Sequence, residues 1–342
     1  MPLREQIRLA VDGVHLSRVQ AAAALDAMLD GSAPAAQMAA LLVALRMKGE
    51  TPDEIAGAAQ ALRSRAARVV VSQDRLIDTC GTGGDASHTF NISTASAFVA
   101  AAGGARVAKH GNRAVSSKCG SADVLAALGV EVELAPEAVA ACIEECGIGF
   151  LFAPRHHAAM RHVAPVRKEL GLRTLFNLLG PLANPAGTRR QLLGVYAPQL
   201  VPVLAQTLVE LGCDRAFVVH GYGGLDEIST AGPTVVCEVR SGVVRQFELS
   251  PEDVGLKRAP LEGLRGGEPQ QNAETLRGVL RGENGARRTA TLLNAGAALA
   301  AAEVCESIRE GVRLAERAID SGAAMERLEK LVKASQARKA AR

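Results

Sequence analysis

Residues 78–94 read DTCGTGGDASHTFNIST. The stretch starts within the short strand LIDT (76–79) and runs into the alanine-rich helix ASAFVAAAGG (95–104), so it connects a strand to a helix. Gly81, Gly83 and Gly84 crowd its first half, and Ser93 or Thr94 offers a hydroxyl to cap the helix. Gly81, Gly83 and Ala86 also satisfy G-x-G-x-x-G/A, the spacing of a dinucleotide site.

A dinucleotide site needs an acid at the end of the next strand, roughly 20 residues on, to accept from a ribose hydroxyl. The next strand, RVAKH (106–110), ends instead in Lys109 and His110. A cation there suits a phosphate. A second strand-loop-helix unit follows in KHGNRAVSSKCGSAD (109–123), where Lys109, Arg113, Ser116, Ser117 and Ser121 are donors before the helix SADVLAALG (121–129). Helix N-termini present unpaired N–H groups and the positive end of a dipole, and glycines let a phosphate approach them. One glycine loop alone reads as a tight turn; two in the same context point to a ligand with more than one phosphate.

Asp226 and Glu227 stand side by side in HGYGGLDEIS (220–229), after the strand RAFVVHG (215–221). From a loop both carboxylates can reach one cation. Magnesium takes oxygen ligands, keeps several waters and commonly bridges carboxylates to substrate phosphates. Alone the pair reads as solvated acids; beside two phosphate loops it reads as a magnesium site.

Before residue 71 the chain shows helical rhythm only. Ser17 with Gln20 has capping-box spacing, Ser32 with Pro34 opens the next apolar run, Thr51-Pro52-Asp53-Glu54 starts another, and Gly49 can end the helix before it. Further strands are expected at QLLGVY (191–196), TVVCEV (234–239) and VVRQFEL (243–249), with a helix at PVLAQTLVELG (202–212). The segment 156–185 reads as helix until Gly180-Pro181 and Asn184-Pro185 break it. The expected fold class is α/β: a helical domain over 1–70, joined by helices near 165–185, and a larger domain over 71–342 with a central mixed sheet.

The 342 residues are 48% hydrophobic and 22% charged, the composition of a globular protein. A net charge of +3, with basic residues scattered except in the tail KASQARKAAR (333–342), excludes nucleic acid as the expected partner. Charges interrupt the N-terminus and the longest apolar runs, such as LLNAGAALAAAEV (292–304), are too short for a bilayer, so no membrane or export is expected. Seven cysteines without a C-x-x-C pair fit a reducing cytoplasm, and Cys142 and Cys146 read as small buried apolar residues.

GTGGD (81–85), FNIST (90–94), KHGNRAVSS (109–117), GSADVLAALG (120–129), RTLFNLLGPLANP (173–185) and GLDE (224–227), in this order, closely resemble the anthranilate phosphoribosyltransferase family over roughly residues 3–330. The resemblance implies transfer of phosphoribosyl from 5-phosphoribosyl 1-diphosphate (PRPP) to the amine of anthranilate in tryptophan biosynthesis, in a cytoplasmic homodimer. It implies a helical domain beside an α/β domain, as in pyrimidine nucleoside phosphorylases, with the site at the hinge.

Position by position, it implies that Gly81, Gly84, Asp85, Thr89, Asn91, Ile92, Ser93 and Thr94 contact PRPP. So would Lys109, His110, Gly111, Asn112, Arg113, Ala114, Val115, Ser116, Ser117 and Ser121. Ser93, Asp226 and Glu227 would serve two magnesium ions; Gly81, Asn112 and Arg167 would hold anthranilate, with Pro154, His157 and Met160 along its path. An arginine can pair two-pronged with an aromatic carboxylate. Lys109 and Arg113 would neutralise the leaving diphosphate, and His110 would either move a proton or pack against the acceptor ring. Ala86 replaces a glycine, and Cys119 a serine, common in the family. A nucleoside phosphorylase of the same fold and a non-catalytic phosphate-binding regulator are the competing readings.

Overall fold

The computed structural model describes residues 3–85, 87–114 and 118–340; Ala86, Val115, Ser116 and Ser117 lie outside them. The chain opens with α1 (Arg4–Val11), α2 (Arg18–Leu29), α3 (Ala35–Lys48) and α4 (Pro52–Ser64). Reciprocal capping boxes start α2 (Ser17 with Gln20) and α4 (Thr51 with Glu54), and Gly49 closes α3 at φ 87°. At α3 the cap is Pro34 without a side-chain bond; Ser32 stays in the preceding turn, its N–H donating to Asp30 Oδ1 and its hydroxyl to Ala27 O.

The remainder alternates. β1 (Leu76–Gly81) leads to α5 (Ile92–Ala102), and β2 (Arg106–Gly111) to α6 (Ser121–Ala127) and α7 (Pro136–Cys146). β3 (Ile148–Phe152) is followed by α8 (Ala153–His156), α9 (Ala164–Leu170) and α10 (Phe176–Leu182). After β4 (Arg190–Gly194) and α11 (Leu200–Glu210) come β5 (Arg215–His220), β6 (Thr234–Arg240) and β7 (Val243–Leu249). The chain ends in α12 (Pro269–Leu280), α13 (Ala286–Ala301), α14 (Ile308–Asp320) and α15 (Ala323–Ala340). The strands form one mixed sheet in the order β3-β2-β1-β4-β5-β6-β7, parallel up to β5 and antiparallel beyond it.

Strand periodicity divides the interior between two cores. Leu192, Phe217, Val219 and Val236 face α5 and α12–α15. Leu193, Ala216, Val218, Cys237 and Val239 face the other way, into a core built from α1–α4 and α9–α11. The N-terminal helices thus reach the sheet through later helices. Cys142 and Cys146 are buried, and all seven cysteines are free.

Two elements differ from the expected pattern. The buried strand IGFLF of β3 carries no polar alternation to separate it from a helix core. The segment 156–185 breaks earlier than Gly180-Pro181: α9 stops at Gly171 in the left-handed region (φ 59°), and α10 passes through Pro181. Pro181 enters only the last turn, where its missing N–H removes a single terminal bond.

Candidate active site

β1 and β2 pair only at Leu76–Arg106 and Ile77–Val107; from Asp78 onward β1 pairs with β4. Side chains bridge the fork. Asp78 Oδ1 accepts from His110 N at 3.1 Å, Asn184 Nδ2 donates to Asp78 Oδ2 at 2.7 Å and to Ala108 O at 2.8 Å, and Lys109 Nζ donates to Thr79 O at 2.6 Å. Successive side chains on a strand point to opposite faces. Lys109 and His110 therefore serve opposite sides of the fork.

On the Lys109 side lies the glycine loop. Gly83 and Gly84 both have positive φ (68° and 76°), which glycine adopts without strain. Asp226 and Glu227 approach from the turn after β5: Gly83 N donates to Asp226 Oδ2 at 2.8 Å, and Ser93 N donates to Glu227 Oε1 at 3.1 Å. Lys109 Nζ also reaches Ser93 Oγ at 3.2 Å. The first helical residue of α5 is Ile92 and its cap is Asn91, ahead of the expected Ser93 or Thr94, because Glu227 supplies from outside the acceptor that a local side chain ordinarily gives.

Burial, and then the neighbouring Asp85, push the Asp226 carboxyl up to about 7; burial and Asp226 push Glu227 well above the usual carboxylate range. Burial lowers the Lys109 ammonium, opposed by the carboxylates of Asp78 and Glu227. Buried carboxylates that repel one another suit a divalent cation, which would neutralise both. Among the described residues no three His, Cys, Asp or Glu side chains converge on one point. An open pair of this kind fits magnesium, which completes its shell with water and substrate oxygens, better than a closed structural metal.

The other expected phosphate contacts are distributed unevenly. Ile92 and Thr94 are buried at the start of α5, so Ile92 presents backbone only. Thr89 bridges Arg265, and Asn91 Oδ1 accepts from Asn272 Nδ2 at 3.0 Å. In the second loop Asp123 Oδ2 accepts from Ala114 N and Gly120 N, both at 2.9 Å, and Ser121 Oγ donates to Asn112 O at 3.3 Å. Arg113 turns to Asp123 of α6 and to Glu133 beyond that helix, at 3.4 and 3.3 Å, so its charge is engaged by two acids. Gly111 packs too closely on Ser121 and Phe150 to admit a Cβ.

On the His110 side lies a mainly apolar cavity of about 140 Å³, lined in part by His110, Pro154, His157, Met160, Arg167 and Phe176. Pro154, His157, Met160 and Arg167 are thus brought together; Gly81 and Asn112 are not in its wall. The Arg167 guanidinium sits 5.3 Å from the Phe176 ring centroid, and among the described residues no acid pairs with it. Burial alone lowers its pKa, so it is a partly desolvated cation with no countercharge among the described residues.

The rings of His110 and His157 meet edge to face, centroids 5.2 Å apart. Burial, then the adjacent imidazole, pushes His110 down to about 3, and burial pushes His157 down to about 4. His110 Nδ1 lies 3.1 Å from Gly180 O. A carbonyl only accepts, so Nδ1 carries the proton and Nε2 is a lone-pair acceptor. Among the described residues that Nε2 is buried with no partner.

Asp78, Asn184 and Phe176 escape the sequence reading. The signal for Asp78 is a lone carboxylate inside an apolar strand, and Asn184 lies in a segment that reads only as a helix breaker.

The chain matches the glycosyl transferase family, helical bundle domain, over residues 4–66 and the glycosyl transferase family, a/b domain, over 73–325. It is 57% identical over 333 residues to an anthranilate phosphoribosyltransferase of Anaeromyxobacter sp. (strain K), covering 97% of this chain and 98% of that one. The anthranilate phosphoribosyltransferase of Thermus thermophilus superposes with a TM-score of 0.92 at 48% identity, covering 97% of this chain and 99% of that one. The Saccharomyces cerevisiae enzyme in complex with PRPP and Mg superposes with a TM-score of 0.88 at 29% identity, covering 98% of each chain. Residue pattern, fold and relatives agree: the chain belongs to the anthranilate phosphoribosyltransferase family.

Proposed function

We propose that the chain transfers the phosphoribosyl group of PRPP to the amine of anthranilate, with the two sides of the β1–β2 fork holding one substrate each. The observation that carries this division is that consecutive residues, Lys109 and His110, face a phosphate-type loop and an apolar cavity whose arginine pairs with no acid among the described residues.

On the first side the backbone of Gly81, Gly83, Gly84 and Asp85 and the start of α5 bind the diphosphate, and Lys109 opposes the charge that grows as it leaves. Magnesium, two ions in this reading, supplies electrostatic stabilisation of the diphosphate when bound. Asp226, Glu227 and Ser93 hold it, and the presence of PRPP and Mg in the yeast relative supports that assignment. On the second side Arg167 pairs with the anthranilate carboxylate, while Pro154, His157 and Met160 flank the ring. His110 Nε2 accepts from the amine N–H and aims the nitrogen lone pair at the ribose carbon.

A base is not required, because the anilinium formed on attack is acidic enough to release its proton to water or to the departing diphosphate. Catalysis is positioning plus stabilisation of leaving-group charge. The hinge between the N-terminal helices and the sheet lets the halves meet, Arg113 and the second loop exchanging Asp123 and Glu133 for phosphate as they do. Val11, Val19 and Met47, exposed on α1–α3, support a homodimer through those helices, and the uninterrupted set of free cysteines supports a cytoplasmic setting.

The chain has no tryptophan and only Tyr196 and Tyr222, so anthranilate fluorescence can be followed directly. Addition of PRPP and magnesium should extinguish it at a rate proportional to protein. Binding without turnover would overturn the reading.

A further inference from the structure

Two arginines six positions apart, Arg167 on α9 and Arg173 just beyond its end, reach different halves of the cleft. Arg167 lines the cavity. Arg173 Nη2 donates to Gly84 O at 2.5 Å, and its guanidinium lies 4.3 Å from the Tyr196 ring centroid. Among the described residues no acid pairs with Arg173. Tyr196 is itself tied to the glycine loop, its N–H donating to Thr82 Oγ1 at 3.1 Å, while Thr82 N donates to Gly194 O at 2.9 Å.

The loop is therefore gripped twice. Asp226 takes the Gly83 N–H from one side, and Arg173 takes the Gly84 carbonyl from another. In a trans peptide the carbonyl and the following N–H point in opposite directions. Holding Gly84 O on Arg173 thus fixes the Asp85 N–H to point away from the arginine. Gly83 and Gly84 both have positive φ, and glycine pairs of this kind reorient their peptides at little cost, so an external group must select one orientation. A guanidinium stacked on an aromatic ring is well suited to that, because the ring removes its rotational freedom before the bond forms.

The geometry points to Arg173 as a positioning residue that sets the glycine turn for diphosphate and fastens it to the segment carrying the acceptor's arginine. The inference rests on the proposed reading that this turn binds PRPP. It assigns Arg173 no contact with substrate.

Steady-state kinetics of the full chain, with PRPP and anthranilate varied independently, tests it. Arg173→Ala should raise KM for PRPP about ten-fold, leave KM for anthranilate within about two-fold and leave Tm unchanged. Arg173→Lys should recover only part, lacking the planar fork. Tyr196→Leu should raise the same KM and Tyr196→Phe restore it, and the double variant Arg173→Ala/Tyr196→Leu should be no worse than Arg173→Ala alone. An Arg173→Ala effect that Tyr196→Leu does not share would mean direct phosphate contact and would overturn positioning. A lower Tm with both KM values rising would mean a merely structural role and would overturn it equally. A wild-type chain that consumes no anthranilate sinks the functional reading; an active one indifferent to Arg173→Ala sinks only this inference.

Discussion

Asp226 Oδ2 accepts from Gly83 N at 2.8 Å, joining residues 143 apart in sequence. With Glu227 on Ser93 N, the acid pair braces both the glycine turn and the first turn of α5. In the proposed reading, metal binding and loop geometry are thus linked through the same carboxylates. Asp226→Asn keeps an oxygen for Gly83 and removes the charge. It should raise the magnesium needed for half-maximal activity on the order of ten-fold or more, with Glu227→Gln behaving alike. A magnesium titration of activity checks this; wild-type activity at low magnesium would remove the metal assignment.

Gly194 bears on the same brace from β4. A Cβ there would run into the backbone of Asp226, and one on Gly81 into its carboxylate. Backbone cannot step aside as a flexible side chain can. Gly194→Ala should therefore cost about 1–3 kcal/mol in urea unfolding and lower activity together. Retention of both would show that the β4–Asp226 approach is looser than described.

Arg167 is a half-buried cation whose neighbour is the Phe176 ring. Arg167→Ala should raise KM for anthranilate about 10- to 100-fold, the worth of a charge-assisted hydrogen bond or two, with a smaller change for PRPP. Aniline, which lacks the carboxylate, should be a poor acceptor for the wild type and no poorer for the variant. An unchanged KM for anthranilate would remove the carboxylate clamp.

Much of this architecture is legible because local chemistry writes it. Thr51-Pro52-Asp53-Glu54 starts α4 as its spacing requires, and the apolar runs of β5–β7 fall where the structure has strands. What stays hidden depends on partners in other elements of the chain. The cap of α5 sits ahead of the expected hydroxyls because its acceptor comes from Glu227, and Arg113, expected on phosphate, is held by Asp123 and Glu133. His110 is set by a local rule instead. Its place in the motif suggests the phosphate side, but strand alternation from Lys109 turns its ring into the apolar cavity.

That placement has a consequence in pH. His110 and His157, at about 3 and about 4 in the folded chain, lie below the ordinary histidine value of 6.5. The unfolded chain therefore binds more protons between those values, so the stability from keeping both rings neutral is complete above about pH 6.5 and is lost as pH falls. By pH 5 each ring should have cost about 2 kcal/mol. Asp78 works the other way. Burial raises its carboxyl to about 6 from 3.8, so it adds stability as the solution is acidified and masks part of the loss in wild type and variant alike. The informative quantity is thus a difference. Urea unfolding of the wild type and of His157→Phe at pH 7 and pH 5 should show the variant losing about 2 kcal/mol less between the two. Parallel losses would mean that His157 is not held neutral against the cavity.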